Sequence, residues 1–385
     1  MSGWYLLAAI PVFGLLVFVH ELGHFLTAKW SGIRVEEFGF GFPPRMIGIK
    51  RGETIYSLNW IPLGGFVRMP GENGETTDDQ GVFDPGSFAS KPAWRRAIVL
   101  VAGVTMNLLL AVLLFGVAFA AGESGYSPVI EYVCSGSPAA QAGIQPGDKI
   151  VQVNGQETFL ESDVVQYVQN SIATAGSGAQ SVPVQLMIER NGTRQALQVD
   201  ARTGDLSSTA CTDTAGTVYK DDSGQAITGQ GAMGIVFGNN GPVVTRHYPL
   251  AQIPGLAIKQ VGVVMGSFVD LIRSLIGGVL RIQVAGPVGI VHITGEVAST
   301  VPTLGWFPLL NLTGLLSLNL AIINILPFPA LDGGRLALLG LEVVRRGKRL
   351  NPRYEGLIHL VGMAVLLLLV VIISWNDIGA WISQR

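Results

Sequence analysis

The chain has 385 residues, of which 49% are hydrophobic and only 14% charged. Soluble domains carry roughly 25% charge, so this is the composition of a membrane protein. A net charge of −2 excludes a nucleic-acid-binding footprint, and two cysteines, Cys134 and Cys211, are too few for a zinc cluster or a disulfide framework.

The first apolar run, Trp4 to Ala28, is long enough to cross the ~30 Å hydrocarbon layer. Trp4 and Tyr5 mark one interface and Lys29 the other. No basic n-region precedes the run, so a cleaved signal peptide is not expected. Inside it stands His20-Glu21-Leu22-Gly23-His24. On a helix, residues four apart share a face, so both imidazoles can bind one zinc. Glu21 sits beside them, as a general base for water activated by the metal should. The other reading is a polar kink in a membrane helix, and the cost of ionisable groups in lipid argues against it.

Residues 29–96 follow as a loop of mixed charge. Thr54 to Ile61 is rich in strand formers, and Pro62 to Met69 carries a turn signal at Gly64-Gly65. This reads as a hairpin with an apolar face. It is either an ordinary soluble hairpin or, beside a membrane zinc site, an open edge that pairs with an extended substrate. Residues 71–90 are a polar surface loop. After Arg95-Arg96 comes a second span, Ala97 to Gly122, whose one strong side-chain hydrogen-bonding group is Asn107. That amide suits a helix–helix contact and a role near the site equally.

Residues 126–245 are soluble in character. Ser137 to Ile150 reads as a short helix and a Pro-Gly-Asp turn, followed by an alternating strand and an Asn154-Gly155 turn. Glu161 to Ser171 suits a helix, and Val182 to Glu189 with Arg194 to Val199 suits a hairpin about Asn191-Gly192. The stretch resembles a PDZ domain of the bacterial, circularly permuted kind. That resemblance makes Met233 to Phe237 the strand lining a groove for a peptide C-terminus. Residues 203–231, rich in Thr, Gly, Ser and Asp, read as an insertion. If the domain faces an oxidising compartment, Cys134 and Cys211 can pair. Residues 250–283 are apolar but carry Lys259, Asp270, Arg273 and Arg281, which suggests an amphipathic helix on the membrane surface rather than a span.

A third span, Trp306 to Leu326, leads into Asn324-Ile325-Leu326-Pro327-Phe328-Pro329-Ala330-Leu331-Asp332-Gly333-Gly334. The prolines end the helix, and Gly-Gly lets the backbone turn sharply. Residues 335–353 carry Arg335, Arg345, Arg346, Lys348, Arg349 and Arg353, the basic excess of a cytoplasmic loop. A fourth span runs from Gly356 to Trp375.

A catalytic zinc usually has three protein ligands and one open position. Trp30 stands where the long metzincin motif needs its third histidine. Glu36, Glu37 and Glu53 lie in the loop beyond the first span. His247, His292 and His359 have no local motif and read as structural. Asp332 is favoured by topology: with 335–353 in the cytoplasm, the first and third spans both run inward. His20, His24 and Asp332 then lie toward the cytoplasmic ends of their spans.

The H-E-x-x-H in a first span, the N-x-x-P-x-P-x-L-D-G-G in a late one and the PDZ-like segment between them resemble the site-2 protease family of intramembrane zinc metalloproteases. Within it, they look most like the bacterial regulator-of-sigma-E protease branch. The resemblance covers nearly the whole chain. It implies that Zn2+ is held by His20, His24 and Asp332, that Glu21 is the base, and that Asn324 holds the substrate backbone or the oxyanion. The hairpin after Thr54 would be a membrane-reentrant β element. The expected architecture is a polytopic α-helical membrane protein of four transmembrane helices, with a membrane-associated β-hairpin and an inserted extracytoplasmic PDZ domain of α+β type. Its parts would be residues 1–125, 126–245, an interfacial helix and linker at 246–300, and the last two spans at 301–385. The expected substrates are single-span membrane proteins, such as anti-sigma factors or signal-peptide remnants, in the bilayer of a bacterial cytoplasmic (inner) membrane. Three other readings compete. A catalytically silent PDZ scaffold is disfavoured by the intact Glu21. A metal transporter would need ligands at several depths. A membrane zinc protease acting on soluble or prenylated termini is disfavoured by the Asp-Gly-Gly motif and the PDZ-like segment.

Overall fold

A computed structural model describes residues 3–72, 84–174, 180–203, 211–212, 217–219, 231–238, 241–276, 286–347 and 352–383. Most of the 203–231 segment, Arg281, and Lys348 with Arg349 lie outside the described residues.

A short 3-10 turn leads into α1 (Ala9–Trp30). A long β1 (Glu37–Arg51) and β2 (Thr54–Arg68) follow, then α2 (Ala93–Ala121). The inserted domain comprises β3 (Glu123–Tyr126), β4 (Ile130–Val133), α3 (Pro138–Gln141), β5 (Lys149–Val153), β6 (Gln156–Glu157), α4 (Glu161–Thr174), β7 (Ser181–Arg190), β8 (Thr193–Arg202), β9 (Ile235–Phe237) and β10 (Val243–Arg246). Helices complete the chain: α5 (Ile253–Ile276), α6 (Pro287–Ser299), α7 (Val301–Leu304), α8 (Phe307–Ile325), α9 (Asp332–Val344) and α10 (Pro352–Ser383).

Among the described residues, five helices are long and apolar enough to cross a membrane: Tyr5–Trp30, Ala93–Ala121, Leu250–Arg273, Phe307–Ile325 and Tyr354–Gly379. The protein is a multi-pass membrane protein. Four spans are expected from the sequence because the charges on 250–283 suit a helix at the membrane surface; length and composition alone also allow α5 to cross. In the structure α5 packs along α2, with Ile253 and Ala257 buried against Phe115, Phe119, Leu318 and Ile322, a contact open to a surface helix and to a span alike. The basic stretch after Asp332, expected as a loop, is helical up to Val344.

The hairpin also differs from expectation. Glu37 to Phe40 pairs with Ile55–Leu58 on one side and with Gly65–Arg68 on the other. Gly64-Gly65 is therefore not a tight turn between two paired strands. It marks where β2 folds back across β1. The sequence conceals β1, since Gly39, Gly41, Gly48 and Pro43-Pro44 all weaken a strand signal. Ile47, Ile49 and Trp60 stand exposed on the hairpin, as they would in contact with lipid.

In the inserted domain, β6-β5-β7-β8 form one antiparallel sheet over a core that includes Ile150, Val164, Leu186 and Met233. Both Asn-Gly turns fall where expected. Asn154 and Asn191 take φ of 49°, with Gly155 at 80° and Gly192 at 77°, the left-handed pair that tight hairpin turns require. Ser137 caps α3 by accepting from Ala140 N–H, with Pro138 at the first helical position. Cys134 and Cys211 are disulfide-bonded, tying residue 211 back to the domain across 77 positions. The domain joins the membrane helices through the antiparallel ribbon of β3 and β10. Arg246 on that ribbon is clamped by Asp163 at the start of α4 and by Glu123, which also accepts from the Tyr248 hydroxyl.

Candidate metal centre

His20 and His24 lie one turn apart on α1, both buried, with their Nε2 atoms 3.2 Å apart. Asp332 comes from the first residue of α9. Its Oδ2 lies 3.0 Å from His20 Nε2 and 3.2 Å from His24 Nε2. That oxygen is buried with no hydrogen-bond partner. Donors about 2.0–2.2 Å from a tetrahedral zinc sit roughly 3.3 Å from one another, so the three atoms have close to the spacing of three corners of one coordination sphere. Among the described residues this is the one such cluster of three.

The outer nitrogens agree with that use. His24 Nδ1 lies 2.8 Å from the Val99 carbonyl, which can only accept, so the ring proton sits on Nδ1 and Nε2 is left free to ligate. His20 Nδ1 lies 3.3 Å from the Asn107 side-chain amide. Asn107 is fully buried, and its Oδ1 has no hydrogen-bond partner. With His20 Nε2 committed to a metal, Nδ1 would carry the proton. A flipped Asn107 then accepts it through Oδ1. The Asn107 backbone carbonyl accepts from Ser317 Oγ at 2.8 Å, which links α2 to α8 at the level of the site.

Two glycines let the helices close on this centre. A methyl group on Gly23 would stand 2.5 Å from the Ala102 carbonyl oxygen. One on Gly103 would overlap His24 Nε2 and stand 2.7 Å from His20 Cε1. Arg96, Val99, Gly103 and Asn107 thus form a single face of α2, at spacings of three and four, turned to the site. Gly103→Ala should lower zinc affinity at least about tenfold, the low end of what a displaced supporting group costs. Gly116→Ala is the control, since its methyl meets only Ile253 Cγ2 at 3.8 Å. Metal analysis of the two purified variants after dialysis checks this; equal zinc contents would show that α2's close approach does not shape the pocket.

The Gly333-Gly334 pair has a different reason from the one the sequence suggests. Neither residue takes a positive φ, whereas Ala330 does, at 79°. A methyl on Gly333 would overlap the Ile325 and Leu326 carbonyl oxygens, and one on Gly334 the Phe328 oxygen. The glycines let α9 start directly beneath the end of α8. Farther along α9, Glu342 makes a bidentate pair with the buried Arg96 at 2.9 and 2.6 Å. Arg335 pairs with Glu72.

Glu21 follows His20 and lies beside β2, where a methyl on Gly65 would stand 3.6 Å from its Cγ. Asn324 is half-buried in the last turn of α8. The other candidates lie elsewhere. Glu53 pairs with Lys29 at 2.6 Å, Glu36 with Arg34 at 3.9 Å, and Glu37 with Arg45 at 2.7 Å. His292 faces Glu296 on its own helix at 3.5 Å, and His247 packs near Gly122. His359 accepts from Ala330 N–H at 3.2 Å. The Val99 carbonyl and Gly103 fall outside the sequence motifs. A glycine four residues before the one buried amide of a span is the signal that points to Gly103.

The model for peptidase family M50 matches residues 8–369. A zinc metalloprotease named RasP from Geobacillus kaustophilus is 30% identical, over 97% of both chains. The regulator of sigma-W protease RasP from Bacillus subtilis is likewise 30% identical over 97% of each. Near-full-length matches of this kind, to a chain whose helices bring two histidines and an aspartate to one point, lead to one conclusion: the chain belongs to peptidase family M50.

Proposed function

We propose that this protein cuts single-span membrane proteins within or near their transmembrane segment, from a site toward the cytoplasmic face of a bacterial inner membrane. The protein is an intramembrane zinc metalloprotease of the site-2 type. The observation that carries the proposal is the convergence of His20 Nε2, His24 Nε2 and Asp332 Oδ2 between membrane helices. These three residues would hold the zinc. Bound there, it supplies a water of lowered pKa and polarises the scissile carbonyl.

The chain's own groups do the rest. Glu21 takes the proton of the attacking water and delivers it to the departing amine nitrogen. Asn107 and the Val99 carbonyl keep both imidazoles in the ligating tautomer. Asn324, at the end of α8, is assigned to the substrate backbone or the oxyanion. A helical substrate must unwind before its carbonyls can be attacked, which frees backbone donors that need partners. The Gly65–Arg68 part of β2 pairs with β1 on one side and lies beside Glu21, so its other edge suits an extended substrate.

Two features support the sidedness. Arg335, Arg345 and Arg346 follow Asp332 closely, as expected of a cytoplasmic end. The Cys134–Cys211 bond fits an oxidising compartment for the inserted domain. We read that domain as a PDZ domain with its groove at Met233 to Phe237, acting as a size filter over the site. The test compares full chain in detergent with a variant in which about residues 126–240 are replaced by a flexible linker. On the full chain, a single-span substrate trimmed of its outer domain should be cut in its membrane segment and the intact one hardly at all. The variant should cut both. Products mapping far from the membrane segment would contradict the substrate class, and equal loss on both substrates would make the domain structural.

A further inference from the structure

The last helix, α10, is 32 residues long and mostly exposed along its length, as a lipid-facing helix would be. Its covered positions nonetheless form a stripe: His359, Gly362, Leu366, Val370, Ile373 and Asp377 recur at three and four. Two members of the stripe accept backbone N–H groups from distant segments. Asp377 takes those of Gly286 at 3.3 Å and Gly289 at 2.8 Å, capping α6. His359 Nδ1 takes that of Ala330 at 3.2 Å. Beside it, a methyl on Gly362 would stand 2.8 Å from the Pro329 carbonyl oxygen, so α10 lies directly on this turn.

The turn between α8 and α9 delivers Asp332, and its backbone donors can be accounted for one by one. Pro327 and Pro329 have none. Phe328 N–H bonds Leu326 O at 2.7 Å, and Leu331 N–H bonds Phe328 O at 3.1 Å. Ala330 N–H goes to His359. This is the turn's one backbone hydrogen bond to another part of the chain among the described residues. It also falls on the residue that least favours its own conformation, an alanine at φ 79°. A turn with two prolines and a left-handed alanine does not hold its shape through local bonds alone.

We propose that His359 is a positioning residue of the metal centre. Its imidazole pins the Pro327–Leu331 turn so that Asp332, two residues past Ala330, completes the ligand set. α10 is then a strut between that turn and α6, not only an anchor in lipid. The proposal rests on Asp332 being the third ligand.

The test uses full chain in detergent, loaded with zinc, and four proteins: wild type, His359→Leu, His359→Asn and Asp332→Ala. Asparagine places its Oδ1 where Nδ1 was, so it can still accept from Ala330 N–H. The readouts are the rate of zinc release to a chelator, the visible spectrum of the cobalt-substituted form, and the Tm of the zinc-free protein. His359→Leu should release zinc about 10- to 100-fold faster, the range for groups that orient metal ligands. Its cobalt spectrum should change, while its zinc-free Tm stays at the wild-type value. His359→Asn should stay within a few-fold of wild type. Wild-type release from His359→Leu, equally fast release from His359→Asn, or a zinc-free Tm that falls with the release rate would each overturn the positioning role. If Asp332→Ala holds zinc as well as wild type, the ligand assignment itself fails. If Asp332→Ala loses zinc and His359→Leu does not, the assignment stands and only the role of His359 falls.

Discussion

Asp332→Ala should leave the chain folded and membrane-inserted but nearly free of zinc and inactive. In the proposed centre the side chain supplies one of three donors, and its Oδ2 has no hydrogen-bond partner. Removing it would leave two imidazoles on one helix to hold the ion. The loss should exceed the roughly 10- to 100-fold that removing a supporting group costs. Folding should survive because the ion pair of Glu342 with Arg96 and the packing of Leu339 against Val99 and Leu100 keep α9 in place. No other described carboxylate joins the cluster to replace Asp332. Zinc stoichiometry after dialysis decides the matter, and an unchanged value would move the third ligand elsewhere.

The candidate site was legible wherever a side chain carries its own chemistry. His20 and His24 announce themselves by spacing, because a helix fixes where residues four apart point. Asp332 follows from the sidedness of the basic stretch that succeeds it. What the sequence hides are contributions made by backbone or by absence. Val99 acts through its carbonyl, and any residue there would offer the same atom. Gly103 acts by having no side chain, and Gly333 and Gly334 likewise. Asn107 could be narrowed to two uses but not one, since an amide bridges helices and orients imidazoles with the same atoms. His359 stands in an apolar helix, and the backbone group it accepts from lies in a turn 29 residues upstream.

The fold divides in the same way. Spans, Asn-Gly turns and the sheet of the inserted domain follow from local patterns. The first strand, β1, does not, because glycines and prolines suit it to folding back with β2 while erasing the alternation that marks a strand. Helix α5 is amphipathic, and its two faces bear on its placement differently. Its Lys259, Asp270 and Arg273 argue for a surface position, yet the opposite face carries Ile253 and Ala257 into the contact with α2 and α8.

Glu21→Gln separates the metal from the chemistry. The amide keeps the shape of the side chain but cannot take a proton from water. Loss of a general acid–base typically costs about 10²- to 10⁴-fold, and this residue serves both halves of the reaction. Because Glu21 is not among the three clustered donors, zinc content should be unaffected. The most direct measurement sets zinc per chain beside turnover of a single-span membrane substrate, for wild type and Glu21→Gln purified in parallel. A full complement of zinc with turnover reduced at least ~100-fold is the expected result. Near-normal turnover by the variant would contradict hydrolysis at this centre.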